Sequence, residues 1–188
     1  MTSARQVQKG SVSIRSQTYW SLLGLIIERP DYGYSLLQRF KREFDEALPL
    51  STDSHVYEGL KALERAGLIQ EYASPRRGRQ TSPRYRASPD GVRGYADWLT
   101  ARIRVERFRS RLFARQLAAL EGVPALGLEV IEQYERACLE DDGPSLLASS
   151  GDSLAVALPA EQARLAAQAE LPWVSYARKR FTKLVEGR

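Results

Sequence analysis

Residue types that carry out bond-making chemistry are scarce in this chain of 188 residues. His55 is the single histidine and Cys138 the single cysteine, so a histidine metal site or a catalytic triad has no second ligand or base to draw on. Asp53, Ser54 and His55 are adjacent, but neighbouring side chains on a helix diverge by about 100° and cannot form a Ser-His-Asp relay. There is no glycine-rich phosphate loop and no cysteine cluster. The expectation is a protein that is not an enzyme and uses no cofactor or metal. One cysteine permits no intramolecular disulfide, which suits a reducing cytoplasm.

The chemistry the chain does offer is cationic. Net charge is +5, and its placement matters more than its size. Between residues 75 and 86 stand Arg76, Arg77, Arg79, Arg84 and Arg86, with no acid among them. Such a run is either a solvated loop or a surface for polyanions. The first seventeen residues bring Arg5, Lys9 and Arg15 among Ser, Thr and Gln, as an arm on DNA or a flexible tail. They lack the apolar core of a secretory signal. No window approaches about 20 consecutive apolar residues, so no membrane partner is expected.

The elements that must hold these groups are mostly helical. Residues 18–28, with Trp20, Leu22, Leu23, Leu25, Ile26 and Ile27, are apolar on nearly all sides, as a buried helix is. Residues 30–33 break it. From Tyr34, Leu36/Leu37, Phe40 and Phe44 mark a second, amphipathic helix. Ser51, Thr52 and Asp53 are all good N-caps for a third, with Val56, Leu60 and Leu63 on one face and Gly67 as its stop. Its opposite face presents Ser54, His55, Glu58, Lys61, Ala62 and Arg65. The period then changes: residues 68–74 read as a weak strand, and 84–87 alternate, with Arg84 and Arg86 on one side and Tyr85 and Ala87 on the other. Pro75 to Pro83 form a turn-rich basic tip between them. Three helices followed by a hairpin with an arginine tip is the order of a winged helix-turn-helix.

Ser88-Pro89-Asp90 starts a helix that the pattern carries to about Leu120. A helix of about thirty residues is too long for so small a head to bury, which implies a partner. A shorter helix covers 126–139, residues 140–152 read as loop, and Pro159 opens a last helical stretch that Pro172 interrupts or restarts. The fold class is therefore mainly α with a small β-hairpin wing. Residues 1–17 form a flexible arm, 18–88 a winged helix-turn-helix, and 89–188 a helical dimerisation and effector domain.

In sequence order, Leu22-Leu23-Gly24-Leu25, Pro30-x-x-Gly33-Tyr34, Ser54-His55-Val56-Tyr57, Leu60, Leu63-Glu64, Gly67-Leu68-Ile69, Arg76-Arg77-Gly78-Arg79, Arg84-Tyr85, Ser88 and Gly91 resemble the signatures of the PadR family of bacterial regulators. Tyr32 stands where the family often has His, and Ser88 replaces its usual Thr. The match is specific over residues 19–98. The rest, with Glu170-Leu171-x-Trp173, is similar to the longer-tailed, Vir-type members, whose C-terminal helices make the dimer.

The resemblance implies a cytoplasmic repressor that binds a palindromic operator as a homodimer and is released by a small aromatic effector. It lays its third helix in the major groove of double-stranded DNA and its wing along the minor groove. Ser51, Thr52 and Ser54 at a helix start suit phosphate oxygens, helped by free N–H groups there. His55 and Lys61 point outward, within reach of base edges. Tyr57 either bonds phosphate through its hydroxyl or packs its ring beside Val56. Arg76, Arg77, Arg79 and Arg84 suit phosphates and a narrow minor groove. Trp98 either stacks on an aromatic effector or serves the core. The rival readings are a winged-helix adaptor that does not bind DNA, which has no need of the arginine wing, and a regulator of another winged-helix family such as the MarR type, which places more helix ahead of its DNA-binding unit.

Overall fold

The computed structural model describes residues 16–44, 46–72, 83–106, 110–141 and 154–187. By internal contacts the chain divides into two units, Met1–Val92 and Arg93–Arg188, and the division falls inside a helix rather than in a linker.

In the first unit, α1 (Gln17–Glu28) is the central element, with Ser21 through Ile26 all buried. Each Leu or Ile so enclosed contributes about 1.5–3 kcal/mol relative to exposure, which is why a helix this apolar sits in the middle. Against it pack α2 (Gly33–Phe44), through Leu36, Leu37, Phe40 and Phe44, and α3 (Ser54–Arg65), through Val56, Leu60 and Leu63. Arg39 of α2 is buried. Its guanidinium donates to Glu28 Oε2 at 3.0 Å and to the Arg29 carbonyl at 3.1 Å, so α1 and α2 share a satisfied cation rather than an orphaned one.

Gly67 stops α3 as expected. It has φ +74°, its N–H donates to the Glu64 carbonyl, and Leu68 N–H donates to the Leu63 carbonyl. That double closure is a Schellman motif, and it requires the left-handed backbone that glycine adopts without penalty. The start of α3 differs from expectation. Asp53 occupies the N-cap position with helical dihedrals and makes no side-chain cap bond; its carboxylate instead takes Lys41 Nζ at 2.6 Å.

The wing base has three strands rather than two. β1 (Asp31–Tyr32), β2 (Ile69–Tyr72) and β3 (Arg84–Ala87) form an antiparallel sheet in the order β1-β3-β2. The segment read only as a break, residues 30–33, supplies β1; two residues are too few to show alternation. Residues 73–82, with the basic tip, lie outside the described residues.

Ser88 joins this sheet to α4 (Pro89–Glu106). Its N–H donates to the Leu68 carbonyl and its hydroxyl to the Gly67 carbonyl at 2.7 Å, while Gly91 N–H donates to the same hydroxyl at 3.0 Å. The cap predicted from Ser88-Pro89-Asp90 is thus formed. Gly91 lies directly on the Leu68 backbone, where any Cβ would collide.

The single helix expected from Pro89 to Leu120 is not what forms. α4 ends its described length at Glu106, α5 covers Ser110–Ala118, and a 3-10 turn follows at Ala119–Gly122. Tyr95 Oη donates to the Gln116 carbonyl at 2.9 Å. In a straight helix those residues would stand about 30 Å apart, so the chain has turned back between them. The thirty-residue helix that would have required a partner for its burial is therefore not found among the described residues.

α6 (Pro124–Asp141) and α7 (Leu154–Glu186) pair antiparallel. Val174, Ala177 and Phe181 of α7 are buried, as are Val130, Ile131, Tyr134 and Cys138 of α6 and Phe113 of α5. The last helix begins before Pro159 and runs through Pro172 unbroken. Pro172 has no N–H for the carbonyl four residues back, a cost of about 3 kcal/mol in isolation, and the buried stripe that follows it outweighs that cost. Residues 142–153, most of the expected loop, lie outside the described residues. Among the described residues no helix is long and apolar enough to cross a membrane.

Candidate nucleic-acid interface

α3 is pinned on one side and open on the other. Val56, Leu60 and Leu63 face the core, and Gly59 abuts Tyr19, whose Cδ1 would stand 2.8 Å from an added Cβ. Ala62, expected on the outer face, is buried instead. What remains exposed is a stripe at helical spacing: Ser54, Glu58, Lys61 and Arg65, with Ser51, Thr52 and Asp53 exposed just ahead of it. Two acids at most, Glu58 and Glu64, and two cations, Lys61 and Arg65, make this outer side close to neutral. A polyanion would therefore be attracted mainly by charge elsewhere.

His55 is only half exposed. Its ring stands edge-on to Tyr19 at 5.2 Å, which turns it toward α1 and away from the centre of the stripe. Tyr57 lies on the other flank, 41% exposed. Its ring passes over the start of α2, where Gly33 has no side chain; a Cβ there would be 3.1 Å from Tyr57 Cε1. Tyr57 is thus not enclosed in the core beside Val56: its ring packs on the start of α2 while much of the residue stays open. Tyr34, next to Gly33, is 67% exposed and belongs to the same end of the unit. Of the N–H groups at the start of α3, those of His55 and Val56 already donate to the carbonyls of Thr52 and Asp53. Fewer are free for an anion than the sequence suggested.

Arg84 is placed differently from a free surface cation. Cross-strand register sets Tyr32, Arg84 and Tyr72 in one row. The guanidinium stands 5.2 Å from each tyrosine ring centre and donates to the Pro30 carbonyl at 3.1 Å. A cation held between two π faces and a carbonyl is committed to the sheet; it ties β1 to the wing. Arg86, on the same face, is exposed, with Nη2 3.4 Å from Gln70 Oε1. Arg76, Arg77 and Arg79 lie outside the described residues.

On the opposite face, burial raises the Tyr85 phenol above its ordinary 10.0, and the charge and hydrogen bond of Glu71 raise it further. Burial likewise raises Tyr19, with Glu58 adding to it. Both phenols stay neutral donors throughout the ordinary pH range. In the second unit, Trp98 is half-buried, 5.7 Å from the Tyr95 ring and under the Arg102 guanidinium at 5.5 Å. Trp173, the other aromatic of the C-terminal stripe, is edge-on to Phe113 and Tyr134 of its own chain.

Glu58, Arg65 and Arg86 were placed on this surface from sequence but not assigned as DNA contacts, and Tyr34 was not placed there at all. Glu58 and Arg65 were visible as the i+4 and i+11 positions from Ser54. Nothing in the pattern marked Tyr34 as exposed, because it opens an amphipathic stripe.

Residues 22–97 match the family model described as the transcriptional regulator PadR-like family. A search of curated proteins gave no match. Among solved structures, the chain is similar to Bacillus subtilis PadR in complex with operator DNA, at 16% identity over 89% of this chain and 98% of that chain, TM-score 0.42. It is also similar to a PadR-like transcriptional regulator from Bacillus cereus, at 13% identity over 97% and 99%, TM-score 0.35. Overlaps this loose carry no residue correspondence. The family match spans the described elements from α1 through the wing base to the first half of α4, and over those residues the chain is similar to the PadR-like family of transcriptional regulators.

Proposed function

We propose that the chain is a sequence-specific regulator that binds double-stranded DNA through α3 and the wing. The observation that carries this is the outward stripe of α3, held rigidly by its buried face beside the three-stranded wing base. In this arrangement Ser54 and Lys61 reach base edges and phosphates in the major groove. Ser51 and Thr52 contact the flanking backbone through their hydroxyls, and His55 and Tyr57 border the stripe. Because the α3 surface is nearly neutral, the attraction to phosphate comes from Arg76, Arg77 and Arg79 of the wing. Arg84 supports the wing from its base.

The finer reading is a homodimer on a palindromic operator, acting as a repressor. Exposed apolar side chains on α6 and α7, Leu139, Leu165, Tyr176 and Val185, support an interface between copies in the C-terminal half. An aromatic effector stacking on Trp98 would have to displace Tyr95 or Arg102 from its ring, and would regulate only by binding the two states of the dimer unequally.

The test is binding of the full chain to a fragment from upstream of its own gene, against a scrambled fragment, across a salt series. Preferential binding is expected, with the log–log salt slope falling by about 0.9 for each phosphate-contacting residue among Lys61, Arg77 and Arg79 replaced by Ala. Absence of binding to either fragment at low salt would favour the adaptor reading.

A further inference from the structure

Glu58 stands in the middle of the outward stripe of α3, one turn after Ser54 and one turn before Lys61, and all three are exposed. An acid and a lysine three residues apart on a helix surface commonly pair, yet among the described residues Glu58 and Lys61 form no ion pair with each other. The neighbouring acid Asp53 is by contrast taken up by Lys41. Nor can α3 roll to withdraw Glu58. Gly59, the next residue, is wedged against Tyr19 and Leu22, and Val56, Leu60 and Leu63 are buried behind it.

A carboxylate fixed on this face is repelled by the phosphates of any duplex, whatever its sequence. Only a base edge that donates repays that repulsion. In the major groove the cytosine N4 amine does so. Guanine offers only acceptors there, thymine an acceptor and a methyl, and adenine sets an acceptor beside its amine. We propose that Glu58 is a specificity-determining residue that reads a cytosine, with Lys61 on the next turn taking the O6 and N7 of a guanine. The assignment rests on the reading of the chain as a DNA-binding regulator. It gives Glu58 two effects at once: discrimination at one base pair, and a penalty on every non-cognate duplex.

The experiment is selection from a randomised duplex library with the full chain, its Glu58→Gln and Glu58→Ala variants, and Lys61→Ala. The wild type is expected to enrich a C·G pair at one position of each half-site, by about tenfold or more over other pairs. Glu58→Gln, nearly isosteric, moves that preference to A·T, because a glutamine amide pairs with adenine N6 and N7. Glu58→Ala loses the preference at that pair alone and binds scrambled duplex several-fold more tightly. Lys61→Ala loses a neighbouring preference instead. A wild-type preference that both Glu58 variants leave unchanged at every position overturns the assignment and spares the regulator reading. A wild type that enriches no sequence overturns both.

Discussion

Three glycines occupy three physically different situations in this chain, and replacing each by alanine separates them. At Gly91 the backbone is helical, so alanine itself is acceptable there and lowers the entropy of the unfolded chain by about 0.4–1 kcal/mol. Space decides otherwise. An added Cβ would stand 2.9 Å from the Leu68 carbonyl carbon and 3.2 Å from its Cα, and nearer still to the oxygen. All three are backbone atoms of the segment that enters β2, so no side chain can swing aside. The segment and the start of α4 must part, at a cost of about 1–3 kcal/mol for overpacking. Parting them also breaks the Ser88 bonds to Gly67 and Gly91, worth about 1 kcal/mol as a cap. The net destabilisation is about 2 kcal/mol, which for a unit of this size lowers Tm by about 8–16 °C. At Gly67 nothing lies within 4 Å of an added Cβ, but φ is +74°, so Gly67→Ala costs about 1–2 kcal/mol through the backbone alone. At Gly122 neither constraint holds, and Gly122→Ala is neutral or slightly stabilising. Urea unfolding followed by circular dichroism, with Trp20 fluorescence reporting on the first unit, ranks the three. Gly91→Ala as stable as the wild type would refute the close approach of α4 to β2.

Arg84→Leu is expected to weaken DNA binding and lower Tm while leaving the salt slope unchanged, since the guanidinium lies between Tyr32 and Tyr72; a slope lower by about 0.9 would show that it neutralises a phosphate. Gly127→Ala places a Cβ 2.5 Å from Phe181 Cδ1 and 2.7 Å from Cζ, so it destabilises the α6–α7 pair by about 1–3 kcal/mol. Phe181→Leu in the same chain should recover part of that loss, and simple additivity in a double-mutant cycle by chemical denaturation would contradict the contact. Because Tyr85 has its pKa raised by burial and then by Glu71, the unfolded phenol ionises before the folded one. Its contribution to stability is whole below pH 10 and is lost as pH rises through the folded value. Tyr85→Phe should flatten the alkaline decline in stability, and an unchanged decline would rule out this source.

The helical part of the head was legible because its signals are dense and agree. Leu22 to Ile27, the Leu36/Phe40/Phe44 stripe and the glycine after α3 each obey one local rule, and Ser88 obeys the capping rule closely enough to be placed to the residue. What was hidden depends on contacts between distant residues. β1 is two residues long and exists only because Arg84 and Tyr85 pair with it. Arg84 reads as one more surface arginine until the register brings two tyrosine rings to it. The return of the chain between Tyr95 and Gln116 has no proline or glycine to announce it, and the apolar positions from Tyr95 to Leu120 fit one long helix as well as two that meet through Tyr95 and Gln116. Pro172 misled in the other direction, since the local rule for proline was overridden by packing on α6. On the interface, Ser54 and Lys61 followed from helical spacing, whereas the inward turn of His55 needed Tyr19 of α1, thirty-six positions before His55 in the chain.

The central claim is that α3 and the wing engage a defined stretch of duplex. Hydroxyl-radical footprinting of the fragment upstream of the gene, with the full chain at moderate salt, tests it most directly. The account predicts two protected patches related by dyad symmetry, one helical turn or about 34 Å apart, which fade when Lys61, Arg77 and Arg79 are replaced together by Ala. Uniform cleavage at every protein concentration, or a protection pattern that the triple variant leaves intact, would contradict it.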